Sequence, residues 1–271
     1  MKSADHSVCV VTGASSGIGR ALTIALSRGG SFVWAIARDS RRLGELRDEV
    51  ADAAGAVVPL AVDLERQDEV EKAAQTIRLG TDRLDLLVHS ASVIRLGGFE
   101  SMSVRDLECQ YRVNLRAPVI LTQALLSAIK RACGQVVFIN STAGVHASAE
   151  NAFYAATKHG LKAIADGLRD EVNDDRVRVI SVYAGRTATP MQRAVHEHER
   201  RQYDPERLLR PGDVAEVVLA ALATPSSGEV TDVYVRPMAK LRAVVAPVEP
   251  CSQLTRESKP RSRIRAVEES H

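Results

Sequence analysis

Residues 7–19 read SVCVVTGASSGIG. The first six, Ser7 to Thr12, are mostly small and β-branched, the composition of a short buried strand. The run ends at Gly13, and a helical pattern starts near Gly17 and continues to about Arg28. Glycine serves where a chain turns sharply or brings its backbone close to a ligand. The first amides of a helix lack intrahelical partners, so a helix starting in this turn offers free N–H groups to phosphate oxygens. Gly13, Ser15, Ser16, Gly17, Ile18 and Gly19 are therefore candidate contacts for a phosphorylated ligand. The spacing is G-x-x-x-G-x-G, not the commoner G-x-G-x-x-G of dinucleotide-binding turns. No lysine stands at the P-loop position.

Working outward, the alternation continues. Strand-like apolar runs occupy 32–37, 57–62, 84–88, 135–140, 177–183 and 230–235. Helical periodicity occupies 40–54, 65–77, 115–132, 152–172 and 214–223. Strands apolar on both faces and separated by helices predict a parallel sheet covered on each side, with right-handed crossovers. A closed eight-stranded barrel and an open doubly wound sheet both fit that description. About seven strands, with a nucleotide-type turn after the first, favour the open form. The expected class is α/β, a doubly wound parallel sheet (Rossmann fold) with helices on both faces.

The chain has 271 residues, enough for one large domain. No Pro/Gly/Ser-rich linker divides it, so residues 1–239 are expected to form a single domain. Residues 240–271 are expected to form a basic, disordered tail. The net charge of +2 is uneven: the tail carries +3 and the rest −1. The main body thus lacks the basic field that nucleic-acid binding requires. Cys9, Cys109, Cys133 and Cys251 are scattered, with no CxxC or metal-ligand spacing. Reduced thiols fit better than a disulfide framework, with Cys9 a small core residue. No run reads as transmembrane and the polar start has no signal-peptide core, so the expected location is cytoplasmic.

Arg38 follows the second strand directly, in Ala37-Arg38-Asp39. In a doubly wound fold that strand tip faces the adenine ribose. An acidic residue there binds the 2′-hydroxyl, whereas arginine accommodates a 2′-phosphate. The expected preference is NADP(H) over NAD(H), with neighbouring Asp39 the complication. Asp63, ending the third strand, either accepts from the adenine amine or caps the next helix.

Tyr154 and Lys158 are four apart at the start of a helix and share one face. A phenol is a poor proton carrier near neutrality, and a nearby ammonium should lower its pKa. The pair suits general acid–base work on an alcohol or carbonyl oxygen. Ser141 ends the fifth strand at the carboxyl edge of the sheet, where ligands bind in such folds. Its hydroxyl can hold a reacting oxygen, and no G-x-S-x-G elbow surrounds it. Asn114 precedes a long apolar helix; it either caps that helix or interrupts it, with a water chain to Lys158 as one use. His89, His146 and His159 are read first as structural, with an approach to the ligand by His89 and a place at the substrate mouth for His146 as the alternatives; His159 faces the surface. No histidine pair has metal-ligand spacing, and no metal is expected.

In this ordered combination the chain resembles the short-chain dehydrogenase/reductase family from about Ser7 to Pro237. The matching elements are Thr12 to Gly19, Asp63, Asn114, Ser141, Tyr154 with Lys158, and Tyr183-Ala184-Gly185-Arg186-Thr187. The resemblance implies that Tyr154 is the catalytic acid/base, that Lys158 lowers its pKa and binds the nicotinamide ribose, and that Ser141 orients the substrate oxygen. It implies a proton relay supported by Asn114. Ser90, Ala91, Gly185, Thr187 and Thr189 join the glycine turn in holding the cofactor. The implied activity is hydride transfer between a nicotinamide and a carbonyl or secondary alcohol.

Two departures stand out. Where the family usually has Asn-Asn-Ala-Gly after strand four, this chain has His89-Ser90-Ala91-Ser92, and the usual Pro-Gly after strand six is Ala184-Gly185. They keep two other readings in play: a cofactor-binding but catalytically weak sensor or scaffold, and a non-redox epimerase or dehydratase on the same fold. The charged segment 190–210 corresponds to a substrate-side lid in the family, and 231–237 (TDVYVRP) is similar to NADP-dependent 3-hydroxy acid dehydrogenases. The resemblance also implies a homodimer or homotetramer packed through the helices at 115–132 and 152–172.

Overall fold

The strand-like runs become a seven-stranded sheet in a computed structural model that describes residues 7–239. The strands are β1 (Val8–Thr12), β2 (Phe32–Ala37), β3 (Ala56–Ala61), β4 (Leu86–His89), β5 (Gln135–Ser141), β6 (Arg178–Ala184) and β7 (Asp232–Val235). They lie in the order β3-β2-β1-β4-β5-β6-β7, and every neighbouring pair is parallel. This is the doubly wound sheet expected above. Pro59 lies within β3, an edge strand, where proline's missing N–H is tolerated.

The helices are α1 (Gly17–Arg28), α2 (Ser40–Glu49), α3 (Gln67–Gly80), α4 (Val104–Tyr111), α5 (Ala117–Ala132), α6 (Ala152–Val172), α7 (Pro190–His198) and α8 (Pro211–Leu222). Successive strand residues point to opposite faces, so each strand feeds two cores. Cys9, Val11, Val88 and Val137 pack with Leu22 of α1, Leu43 of α2 and Val218 of α8. Val10, Leu87, Val136 and Phe138 pack with Ile77 of α3, Leu125 of α5 and Leu161 of α6. That two-sided burial is why the strands read as unbroken apolar runs rather than alternating ones.

Several boundaries moved for local reasons. The helix expected over 40–54 stops at Glu49, because the chain must turn through Gly55, whose added Cβ would lie 2.1 Å from the Ser31 carbonyl oxygen. The helix expected from residue 65 starts at Gln67. Asp63 does not cap it; its Oδ1 instead accepts the Glu65 amide at 3.0 Å in the preceding turn. Helix α4 was not expected at all. Its apolar residues Val104, Leu107 and Tyr111 share one face but Val104 and Tyr111 stay exposed, and the helix buries only Gln110; Ser103 and Asp106 form a reciprocal capping box at its start. A π-helical turn, Arg112–Arg116, joins α4 to α5, and Asn114 sits in the middle of it. Of the two readings for Asn114, interruption of the helix is the one realised. The tail at 240–271 lies outside the described residues.

Candidate active site

The sheet reverses its winding between β1 and β4, which are neighbours although far apart in sequence. Their carboxyl ends open a crevice there, the place where ligands bind in open α/β sheets. Thr12 ties the two strand ends together. Its Oγ1 accepts the amides of Ser90 at 3.0 Å and Ala91 at 3.1 Å and donates to the Val88 carbonyl. Gly13 then turns with φ +70°, and a Cβ on it would lie 2.8 Å from Ala91 Cα. A Cβ on Gly19 would lie 2.5 Å from the Gly13 carbonyl oxygen. Backbone replaces side chains throughout this turn.

The start of α1 is built to receive an anion. Ser16 occupies the N-cap but makes no capping hydrogen bond, and the first turn holds no acidic residue. The helix therefore presents its amides and its positive end to the crevice. The crevice is a cleft of about 430 Å³, within the usual range of small-molecule sites. Gly13, Ser15, Ser16, Gly17 and Ile18 line it, as do Arg38, Asp63, Ser90 and Ala91. The donor set and the space left by the missing Cβ atoms fit a dinucleotide pyrophosphate.

At the same strand tip Asp39 is occupied elsewhere. Its carboxylate accepts the Arg42 amide at 3.1 Å as the N-cap of α2 and pairs with the Arg42 guanidinium at 3.4 Å. Arg38 is exposed, lines the cleft and forms no ion pair among the described residues. The Asp39 carboxylate serves its own helix.

The opposite half of the cleft carries Ser141, Tyr154 and Lys158. Ser141 ends β5, and its Oγ accepts the Ala143 amide at 3.1 Å. Tyr154 stands in the first turn of α6, and its hydroxyl faces the side chains of Ser92 and Ser141. Lys158, one turn on, is 2% exposed; its Nζ donates to the Ile139 carbonyl at 3.1 Å and lies 5.8 Å from the centre of the Tyr154 ring. Burial pushes the Tyr154 phenol above its ordinary value, with the two serine hydroxyls working the other way. Burial also lowers the Lys158 amine to about 8. The position of the phenol is governed by its burial, which outweighs the two serine hydroxyls.

Asn114 is committed on all sides. Its Oδ1 accepts from the Val93 amide at 2.8 Å and from Ser92 Oγ at 3.0 Å. Its Nδ2 donates to the Val93 carbonyl at 2.9 Å and to Thr157 Oγ1 at 3.1 Å. An amide side chain offers no more, so any water held by Asn114 must bind its backbone. The side chain pins the loop after β4 to α6.

The remaining strand-end loop closes over the turn. Gly185 donates to the Val235 carbonyl at 2.8 Å. Thr187 donates to the Gly185 carbonyl at 3.0 Å, and Thr189 caps α7 by accepting the Gln192 amide. The Thr189 methyl lies where a Cβ on Gly17 would come within 2.9 Å. Gly185, Thr187 and Thr189 all line the cleft.

The three histidines weighed above keep to their structural reading. His89 does not reach the cleft: it is buried, with Nε2 2.8 Å from Thr122 Oγ1 and its ring stacked on Phe138. Burial holds it neutral, lowered to about 3. His146 is exposed and outside the cleft wall, and His159 is exposed with Nδ1 on the Ala155 carbonyl. His198 of α7 does line the cleft, 3.5 Å from Glu150 across it. Beside it Arg186 and Glu199 form a two-point ion pair. Sequence reasoning missed His198, Thr12 and Ser92 as site neighbours. It also missed Asn140, whose Nδ2 donates to the Lys158 carbonyl at 3.1 Å. For Ser92 the altered tetrapeptide was the available signal.

A family model described as short chain dehydrogenase matches residues 7–200. The chain belongs to the short-chain dehydrogenase family. An uncharacterized oxidoreductase of Staphylococcus saprophyticus is 31% identical over 233 residues, covering 85% of this chain and 97% of that protein. A metagenomic short-chain oxidoreductase solved in complex with NADP is 30% identical, with a TM-score of 0.75 over 88% of this chain and 100% of that one. A putative NAD(P) dependent gluconate 5-dehydrogenase from Beutenbergia cavernae, with bound NADP, is 27% identical, with a TM-score of 0.76 over 84% and 94%. As a short-chain dehydrogenase the chain has an NAD(P)-binding oxidoreductase fold, whose chemistry is hydride transfer. No helix among the described residues is long and apolar enough to cross a membrane.

Proposed function

We propose that this short-chain dehydrogenase is an NADP(H)-dependent reductase of carbonyls, or dehydrogenase of secondary alcohols, with Tyr154 as its acid/base. The observation that carries the reading is the meeting of Ser141, Tyr154 and Lys158 in the cleft whose other half is the glycine turn. When bound, the nicotinamide dinucleotide supplies or accepts the hydride. The backbone from Gly13 to Gly19 holds the pyrophosphate, and Arg38 the 2′-phosphate. Asp63 meets the adenine. Ser90, Ala91, Gly185, Thr187 and Thr189 frame the nicotinamide side, and Lys158 holds its ribose.

Tyr154 holds the proton at its phenol oxygen, gives it to a carbonyl oxygen on reduction, and takes it from an alcohol on oxidation. Ser141 donates its hydroxyl proton to the same substrate oxygen, since its own oxygen is already held by the Ala143 amide. Asn114 keeps the loop after β4 in register with α6. The preference for NADP(H) is supported by the diversion of Asp39 to its helix cap. It is supported too by the NADP bound to two related structures. A polar secondary alcohol or ketone suits the wall formed by Gln192, His198 and Glu199. A single domain over 1–239, a cytoplasmic location and a homodimer or homotetramer belong to the same proposal.

The test is nicotinamide absorbance over a panel of ketones, hydroxy acids and secondary alcohols, with the wild type and Tyr154→Phe side by side. NADPH-dependent turnover that falls by about 10²-fold or more in Tyr154→Phe is expected. Undiminished turnover in that variant would remove the assigned mechanism.

A further inference from the structure

Ser92 stands where the related tetrapeptide usually ends in glycine, and its hydroxyl joins two groups that the reaction depends on. On one side it lies 3.0 Å from Asn114 Oδ1. On the other it faces the Tyr154 phenol and favours its ionised form. The direction of the first bond is determined by Asn114. Val93 donates to Asn114 Oδ1 and accepts from its Nδ2, so the amide cannot be flipped. Oδ1 has no hydrogen, so Ser92 must be the donor to it. That leaves a Ser92 lone pair for the phenol O–H while Tyr154 is protonated.

We propose that Ser92 is a positioning residue for Tyr154: its hydroxyl proton rests on Asn114 Oδ1 while the phenol is intact and turns to the phenolate oxygen once that proton has left. The proposal rests on the assignment of Tyr154 as acid/base. The turn leaves nothing buried unsatisfied, because Asn114 Oδ1 keeps the Val93 amide. It exchanges a neutral hydrogen bond for a charge-assisted one, which is roughly twice as strong. No proton passes through Ser92, since Asn114 Oδ1 has none to replace it; the serine only reorients. Ser141 supplies the second hydroxyl on the phenol but also faces the substrate, whereas Ser92 approaches from the loop after β4. A glycine at this position would leave the phenolate one donor short.

The charged neighbour of the phenol on its own helix is Lys158, 5.8 Å from the ring centre. The other ionisable side chains lining the cleft are Arg38, Asp63, Glu150, Arg186, His198 and Glu199. None of them hydrogen-bonds the phenol. A change confined to the Ser92 hydroxyl therefore acts on Tyr154 without altering any charge.

The experiment is a ¹³C NMR titration of the full chain labelled at the tyrosine ring carbon that bears oxygen, without cofactor. The Tyr154 signal is assigned by its loss in Tyr154→Phe. In Ser92→Ala the Tyr154 midpoint should rise by about one pH unit relative to wild type, and Ser92→Thr should restore it. The alkaline-side pH profile of alcohol oxidation should move the same way. An unchanged or lowered midpoint in Ser92→Ala overturns the proposal, as does a wild-type phenol that does not ionise before the fold is lost. Because the titration needs no turnover, its outcome is separate from that of Tyr154→Phe, which tests the acid/base assignment itself.

Discussion

The amine of Lys158 donates to the backbone carbonyl of Ile139 at 3.1 Å, so α6 and β5 are joined by a buried cation on a carbonyl oxygen. Burying that charge without a carboxylate partner is unfavourable, which is why the amine is lowered to about 8 from 10.5. Between those two values the unfolded chain binds more protons than the folded one, so wild-type stability rises with pH across the window and the full penalty applies below it. Lys158→Met should therefore be more stable than wild type at pH 7, by roughly 2 kcal/mol after about 1 kcal/mol is deducted for the orphaned carbonyl. The gain should fade toward pH 10. Denaturant unfolding at several pH values measures it, and a variant less stable at pH 7 would contradict the account.

His89 shows the same physics with a different window. It is buried and neutral, lowered to about 3 from 6.5. The unfolded chain takes up the proton first, so this group's contribution is intact above pH 6.5 and is lost as pH falls toward 3. His89→Asn, the residue common at this place in the family, should flatten the acid limb of the stability profile. The difference should be on the order of 4 kcal/mol across the window. Parallel acid limbs would show that the imidazole is not responsible.

Arg38 and Asp39 divide the strand tip between ligand and helix. Arg38→Ala should weaken NADPH binding by at least about tenfold, the loss expected of one charge-assisted phosphate contact, and leave NADH nearly unchanged. Asp39→Ala should lower stability through the lost cap of α2, with little effect on cofactor choice. Fluorescence titration with both cofactors distinguishes the two. An NADH preference in wild type would remove the argument.

Gly19 has backbone on the side where a Cβ would go, 2.5 Å from the Gly13 carbonyl oxygen. Gly19→Ala must move one of the two halves of the turn. Cofactor affinity should fall by more than about tenfold, and stability by about 1–3 kcal/mol. Titration and thermal unfolding of the same preparation check both numbers. Full affinity in the variant would mean that the turn is not the phosphate cradle.

Much of this was legible in the residues because it is periodic or local. Apolar runs of strand length alternated with helical stripes, and α6 appeared at the expected boundaries, residues 152–172. Helix α4 was illegible because it is only eight residues long and its few apolar residues give too short a pattern to read. The gathering of Ser141, Tyr154 and Lys158 followed from strand ends and one helical turn. The side His89 takes was not legible, because a strand-end residue faces the cleft or the core according to its neighbours, and here Thr122 and Phe138 receive it.

From the amino acids alone came the parallel α/β plan, the anion-binding turn and the tyrosine–lysine pair, since each depends on residues a few positions apart. The packed fold decided the rest: that Asp39 caps its helix, that His89 is sealed off, and that Ser92, Asn114 and Thr157 form one line of hydrogen bonds reaching α6. Apart from the Asp39 cap, which is local, those partners lie tens of residues apart. Which hydroxyl meets which amide is determined by how loops seat on a finished sheet, and local periodicity carries no record of that.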